Sequence, residues 1–276
     1  MSGQYKLAWL CEALLVSRSG YYDWKERRCQ PGKREVENIH LRARIRQEFT
    51  RSRQTYGSPR LAQALGCPGR RNRIARLMRA ERIFARQRSK YRAATTDSRP
   101  GGPIAPNRVR DLTIQHPNQV WVTDATGVLT GQGWLYLVAV LDVFSRRVVG
   151  WAMSPILDAP LASAALCMAL SQRRPAAKLI LHSDRGTQFA SAAYRQLLAQ
   201  HGLIASMSRP GNCYDNAFIE SFWSSLKYEL VYHQRFATYA QARTAIFDYL
   251  EAFYNRTRLH SSLAYLSPIN FESQLN

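Results

Sequence analysis

Acidic residues are scarce in this 276-residue chain: 19 Asp and Glu stand against 39 Lys and Arg, for a formal net charge of +20. Long hydrophobic runs are missing as well. No apolar stretch reaches about eighteen residues, so a membrane-spanning helix is not expected. The N-terminal MSGQYKLAWLCEALLVSRSGYY has a short apolar patch, but acid and arginine interrupt it and no small-residue cleavage site follows. A secretory signal is therefore not expected either. The five cysteines (Cys11, Cys29, Cys67, Cys167, Cys213) are odd in number and never spaced C-x-x-C. That pattern argues against a disulfide framework and against a zinc finger, and suits a reducing cytoplasm.

The positive charge that is present is unevenly placed. Residues 1–117 hold 26 Lys and Arg against 9 Asp and Glu, whereas residues 118–276 hold 13 against 10. General solubility needs no such asymmetry. A basic front half joined to a nearly neutral back half points to a polyanion-binding module, with nucleic acid as the leading partner, attached to a part that works differently. With 46% apolar residues and six tryptophans, the chain is long enough for a sizeable core and for more than one domain.

Along the chain, residues 1–30 read as helix, break and helix: KLAWLCEALL, VSRSG, YYDWKERR. Ser17 and Ser19 are plausible caps there, with Gly20 at the bend. A helix-turn-helix and a plain two-helix hairpin both fit this stretch. Residues 35–90 form a second helical, helix-turn-helix-like unit. In it, Ser58 and Pro59 open a helix as cap and first helical residue. A further helix is expected over 71–83, where Ile74, Leu77 and Met78 share one arc and Arg73, Arg76, Arg79 and Arg82 the other. Glu81 is the only acid among them. With Arg70 and Arg71 just ahead, this basic face is expected to lie against DNA phosphates or base edges.

Residues 91–117 read as a basic Pro/Gly linker. After it, VWVTDATGVL, GWLYLVAVLDVF and RRVVGWAMS are three β-rich runs with short turns, the pattern of an antiparallel meander. A helix, the buried-strand run KLILHSD, a helix, the strand LIASMS and a last helix complete an α/β layered domain with a mixed sheet over 118–230. Residues 231–276 read as a helical extension, in which YNRTRLHSSL either packs on the domain or meets DNA.

With so few acids in the back half, each can be weighed. Asp124 lies inside the first strand, on the face of Val120, Val122 and Thr126, where a charge is costly unless paired or bound to a cation. Asp184 ends LILHSD just before a turn, a common place for a catalytic group. Glu220 lies on the last helix, and Asn216 and Lys227 fall within about 40° of it around the axis. Asp142 is a competing acid better suited to a turn or strand edge, and Asp215 suits a helix N-cap. Carboxylates without a His/Cys set favour hard ions, Mg²⁺ or Mn²⁺, over zinc. Two such ions can activate a water or 3′-hydroxyl and stabilise the departing oxygen of a phosphodiester.

These residues carry a resemblance. YGSPRLAQAL, WVTDATG, GWLYLVAVLDVFSRRVVGWAM, LILHSDRGTQF, SMSRPGNCYDNAFIESFWSSLKYEL and YNRTRLHSSLAYLSP resemble, over nearly the whole chain, the OrfB products of the IS-three family of bacterial insertion sequences. Asp184 and Glu220 are separated by 35 residues, the D,D(35)E spacing of that group, and Lys227 lies seven beyond the glutamate. The resemblance implies a five-stranded RNase H-like integrase core behind a helical DNA-binding region. It implies that Asp124, Asp184 and Glu220 are the catalytic residues and hold two Mg²⁺ or Mn²⁺ ions. It further implies binding of terminal inverted repeats and strand cleavage and transfer by direct transesterification. The expected partners are double-stranded DNA, other copies of the chain on paired DNA ends, and an upstream OrfA product or fusion. The expected setting is the bacterial cytoplasm, at the nucleoid. Lys227, Asn216 and the arginines at 70, 71, 73, 76 and 79 are the candidate DNA contacts. One departure stands out: Thr126-Gly127-Val128 replaces the commoner Thr-Tyr after the first aspartate. A related nuclease that cuts without joining, and a non-catalytic DNA-binding relative, remain alternatives.

Overall fold

The computed structural model describes residues 6–29, 32–86, 104–110, 112–208 and 216–275. The chain divides into two compact units, Met1–Ala85 and Arg86–Asn276. Most of the expected linker at 91–117 falls outside the described residues, as does Asp215.

The first unit is helical: α1 (Leu7–Ala13), α2 (Arg18–Cys29), α3 (Lys33–Arg51), α4 (Ser58–Ala64) and α5 (Arg71–Ala80). Between α1 and α2 the chain turns at Leu15, which has left-handed backbone with φ 55°. Ser17 Oγ then accepts the Gly20 amide at 3.0 Å. A cap serves the amide three residues on, so Gly20 belongs to the first turn of α2 and not to the bend, and Ser19 lies inside the helix. Helix α4 is capped by Gly57, one residue before the expected Ser58, with Pro59 in the first turn. Ile45, Leu61, Ile74, Leu77 and Met78 are buried where α3, α4 and α5 pack on one another. Helix α5 stops short of the expected 83, because Arg82 takes up left-handed backbone with φ 53°.

The second unit is built on β1 (Val120–Thr130), β2 (Gly133–Asp142), β3 (Val148–Ser154), β4 (Ile180–Ser183) and β5 (Ile204–Met207), in the order β3-β2-β1-β4-β5. The first three strands are antiparallel, and β4 and β5 run parallel to β1. Among and after the strands come α6 (Ala159–Arg173), α7 (Thr187–Ala190), α8 (Ala192–Gln200), α9 (Ala217–Glu229), α10 (Tyr239–Phe247), a π-helical turn at Asp248–Tyr254, and α11 (Pro268–Glu272). This five-stranded mixed sheet with flanking helices, behind a helical region, is the RNase H-like architecture expected from the sequence.

One face of the sheet packs against α6 and α8, with Trp121, Val138, Val140 and Val149 meeting Ala162, Ala165, Leu166 and Tyr194. Gly150 is required there, since a Cβ would collide with the Ala165 carbonyl and the Ala169 amide. The opposite face carries Asp124, Ala139 and Trp151 side by side across three strands. It is covered by α9 and by the C-terminal helices, as the Trp223–Asp124 hydrogen bond and the Trp151–Phe247 ring contact show.

Residues 231–275 are welded into this unit. The Asn255 side chain accepts from the Val148 amide at 3.0 Å and donates to its carbonyl at 2.9 Å, in effect extending β3. Glu272 receives Arg173 at 2.6 Å and Arg147 at 2.7 Å. The YNRTRLHSSL stretch therefore packs on the core: Asn255, Arg258 and His260 are all buried.

Candidate active site

Strand register sets the first two acids level. Thr123 lies opposite Ser183 across the parallel β1–β4 pair, so Asp124 and Asp184 follow one residue later on adjacent strands. Asp124 is half-buried and accepts two bonds, from the Ala125 amide at 2.8 Å and from the Trp223 indole at 2.9 Å. Asp184 leaves β4 and accepts the Gly186 amide at 2.9 Å, which shapes the turn into α7. Glu220 is in the first turn of α9 and exposed, and Lys227, in the last turn, is half-buried.

The charges of these acids bear on one another. Burial, and next the negative charge of Asp184, push the Asp124 carboxyl up to about 7, with Glu220 adding to the rise. Burial raises Asp184 and Glu220 also. Lys227 is lowered by burial, while the nearby Asp124 charge pulls it the other way. None of the three acids forms a salt bridge with a described basic side chain. Among the described residues, no three His, Cys, Asp or Glu side chains are drawn together tightly enough to hold a metal ion. The acids are thus electrostatic neighbours and not a closed ligand set. Their donor chemistry, all carboxylate oxygen with no salt bridge to a described basic side chain, fits a hard divalent cation.

Other expected residues take different places. Asp142 is fully buried and filled by hydrogen bonds: the Asn118 amide at 2.6 Å, the Trp121 indole at 3.2 Å, and the Ser145 amide and hydroxyl at 2.9 and 3.1 Å. It locks the β2–β3 turn to the start of β1. Asn216 stands at the N-cap of α9 but is 6% exposed, and among the described residues it caps nothing and its Oδ1 has no partner. It is therefore not presented on the surface as a DNA contact requires. In the first unit, Arg70, Arg71, Arg76 and Arg79 are exposed. Arg73 is not part of that face. Its guanidinium turns back to α3, meeting Glu37 at 3.0 Å and Asn38 at 3.0 Å, so that it ties α5 to α3.

Three residues, Trp223, Glu229 and Arg258, stand out in the structure but not in the sequence pattern. Trp223 lies three residues past Glu220 and hence near the same helical face, a spacing that could have marked it. Glu229 and Arg258 form a buried pair at 2.7 Å across 29 residues of chain, and no local pattern announces it.

Comparison with known proteins follows from this geometry. Residues 114–213 match the model of an integrase core domain, residues 201–268 a second integrase core domain model, and residues 35–91 an HTH-like domain. The 31 kDa protein of insertion element IS600 from Shigella sonnei is 44% identical over 269 residues, covering 96% of this chain and 98% of that one. Transposase InsF for insertion sequence IS3A of Escherichia coli K12 is 39% identical over 275 residues, covering 98% and 95%. Among solved structures, the catalytic core domain of BIV integrase is similar at 18% identity and a TM-score of 0.44, covering 57% of this chain and 95% of that one.

Proposed function

Because this chain belongs to the IS3 family of insertion-sequence transposases, we propose that it binds the terminal inverted repeats of its element and cleaves and joins DNA strands there by direct transesterification. The observation that supports this reading most is that the charges of Asp184 and Glu220 both bear on Asp124 beside α9, while none of the three acids forms a salt bridge with a described basic side chain.

In this reading Asp124, Asp184 and Glu220 would hold two Mg²⁺ or Mn²⁺ ions. When bound, such ions supply Lewis-acid activation of the attacking oxygen and charge stabilisation for the departing one. The chain's own residues do the rest. Trp223 orients the Asp124 carboxylate through its indole N–H. Lys227, on the same side of α9, meets a phosphate of the bound strand. Cleavage is attack by water on a phosphodiester, leaving a free 3′-hydroxyl. Joining is attack by that hydroxyl on a second phosphodiester, with the displaced 3′-oxygen as leaving group. One bond forms as one breaks, so no protein–DNA covalent intermediate is needed.

In the first unit, Arg70, Arg71, Arg76 and Arg79 neutralise phosphates of the repeat. Two ends must be present for joining, so several copies act on paired ends, with the upstream OrfA product as a further partner. Among the described residues, no helix is long and apolar enough to cross a membrane.

The test is a labelled terminal-repeat duplex incubated with the protein and Mg²⁺, with and without the upstream-frame product. Nicked and joined products are expected from the native chain, and neither from Asp184→Asn. Joining by Asp184→Asn would reject the assignment, and nicking without joining under both conditions would favour a nuclease.

A further inference from the structure

We infer that Arg258 is a positioning residue for the reaction: its guanidinium clamps the back of α9 and so sets Glu220, Trp223 and, through Trp223, the Asp124 carboxylate. This rests on the role proposed above for the three acids.

Helix α9 touches the site twice. It carries Glu220 in its first turn, and Trp223 holds Asp124 Oδ2 at 2.9 Å. A small slide or rotation of this helix therefore moves two of the three acids together. Among the described residues, no side chain caps the N-terminal end of α9 to prevent that, since Asn216 makes no capping bond. The other end is gripped. Arg258 Nε donates to Glu229 Oε2 and Nη2 to Glu229 Oε1, both at 2.7 Å. Nη2 also donates to Ser225 Oγ at 3.1 Å, and the Tyr249 hydroxyl adds a bond to Glu229 Oε2 at 2.8 Å. Ser225 and Glu229 are four residues apart and form one stripe of the helix. Glu229 is nine residues past Glu220, roughly 13 Å along the axis and half a turn around it. The helix is thus held from the face turned away from the acids.

A two-pronged charge-assisted bond constrains both rotation and sliding, which apolar packing of Phe222 and Leu226 does less sharply. A buried ion pair adds little net stability over an apolar replacement, and its best use is to specify one arrangement. Arg258 sits in the C-terminal stretch, 38 residues past Glu220, yet it is 4% exposed and unable to reach DNA itself.

Two variants of the full chain test this. Arg258→Lys keeps the charge and gives up the planar fork. Glu229→Asp keeps the pair and draws the carboxylate back by one methylene, and it carries the same test should Arg258→Lys fail to fold. Expected results are a cooperative melt, KM for terminal-repeat DNA within about twofold, and kcat for joining lowered by about tenfold or more. Mn²⁺ binding measured by calorimetry weakens alongside. In the metal-free protein, the Trp223 indole N–H resonance, assigned with Trp223→Phe, moves upfield as its carboxylate acceptor is lost. Folded variants with kcat, Mn²⁺ binding and the indole resonance all unchanged would overturn the inference. The indole signal needs neither metal nor DNA. If Glu220→Gln joined DNA at the native rate, the catalytic reading would fail while the clamp would still be judged by that resonance.

Discussion

Asp142 and Asp124 lie on the paired strands β2 and β1, Asp142 opposite Trp121 and Asp124 opposite Ala139, three rungs along the same ladder. Both are acids within an apolar sheet, yet their surroundings differ. Asp142 accepts four hydrogen bonds, which fill its lone pairs and fix a turn. Asp124 accepts two, and its nearest charged neighbours include two more acids. A buried carboxylate saturated by amide and indole donors is architecture. One kept among like charges is relieved only by a cation or a proton.

Substitution should separate the two regions most sharply. Asp184→Asn is expected to lower joining by roughly a thousandfold or more while leaving the metal-free protein at least as stable in thermal melts, since it removes a charge that raises Asp124. Asp142→Asn should do the reverse. Its amide N–H₂ would face donors, costing about 2–4 kcal/mol in urea unfolding, while activity per folded molecule persists.

A smaller effect is a pH dependence. The Asp124 carboxyl, raised in the folded chain to about 7 from a reference of 3.8, binds more protons folded than unfolded between those values. Its contribution to stability is therefore intact below about pH 4 and is lost as pH rises towards 7, by a few kcal/mol at most. Urea midpoints of the metal-free protein at a series of pH values measure this, and Asp184→Asn should flatten the decline. Saturating Mg²⁺ should flatten it as well, because an ion favours the ionised acids.

The smallest expected effect concerns the first unit. Arg76→Ala should weaken binding to terminal-repeat DNA and reduce the slope of log K against log salt by about one. Arg73→Ala should instead cost about 1 kcal/mol of stability by releasing α5 from Glu37 and Asn38, with the salt slope unchanged. A reduced slope for Arg73→Ala would return that residue to the DNA face.

Much of the fold was legible in the sequence, because strand and helix periods are local and the sheet residues obey them strongly. The five strands from Val120 to Met207 emerge from runs of β-branched and aromatic residues bounded by turns. Asp124 and Glu220 could be singled out because acids are rare there and each interrupts an apolar pattern. Arg73 is less legible for the complementary reason: the helical wheel puts it on the basic face, but its guanidinium meets partners on α3, about 35 residues earlier. Gly20 suggests a bend from the sequence because glycine often marks one, whereas the Ser17 cap starts the helix before it.

Composition and periodicity were enough, by themselves, to define a basic helical region, an α/β domain with a mixed sheet and a few acids to weigh, and the resemblance carried by the motifs around Asp184 and Glu220 added the expectation of an RNase H-like core. Tertiary structure alone decided which charges are spent internally. Asp142 is consumed by a turn, Arg73 by a neighbouring helix and Arg258 by Glu229, while Asp124, Asp184 and Glu220 form no salt bridge with a described basic side chain. The physical reason is that charge compensation depends on distance in space, and packing joins residues that the chain holds dozens of positions apart.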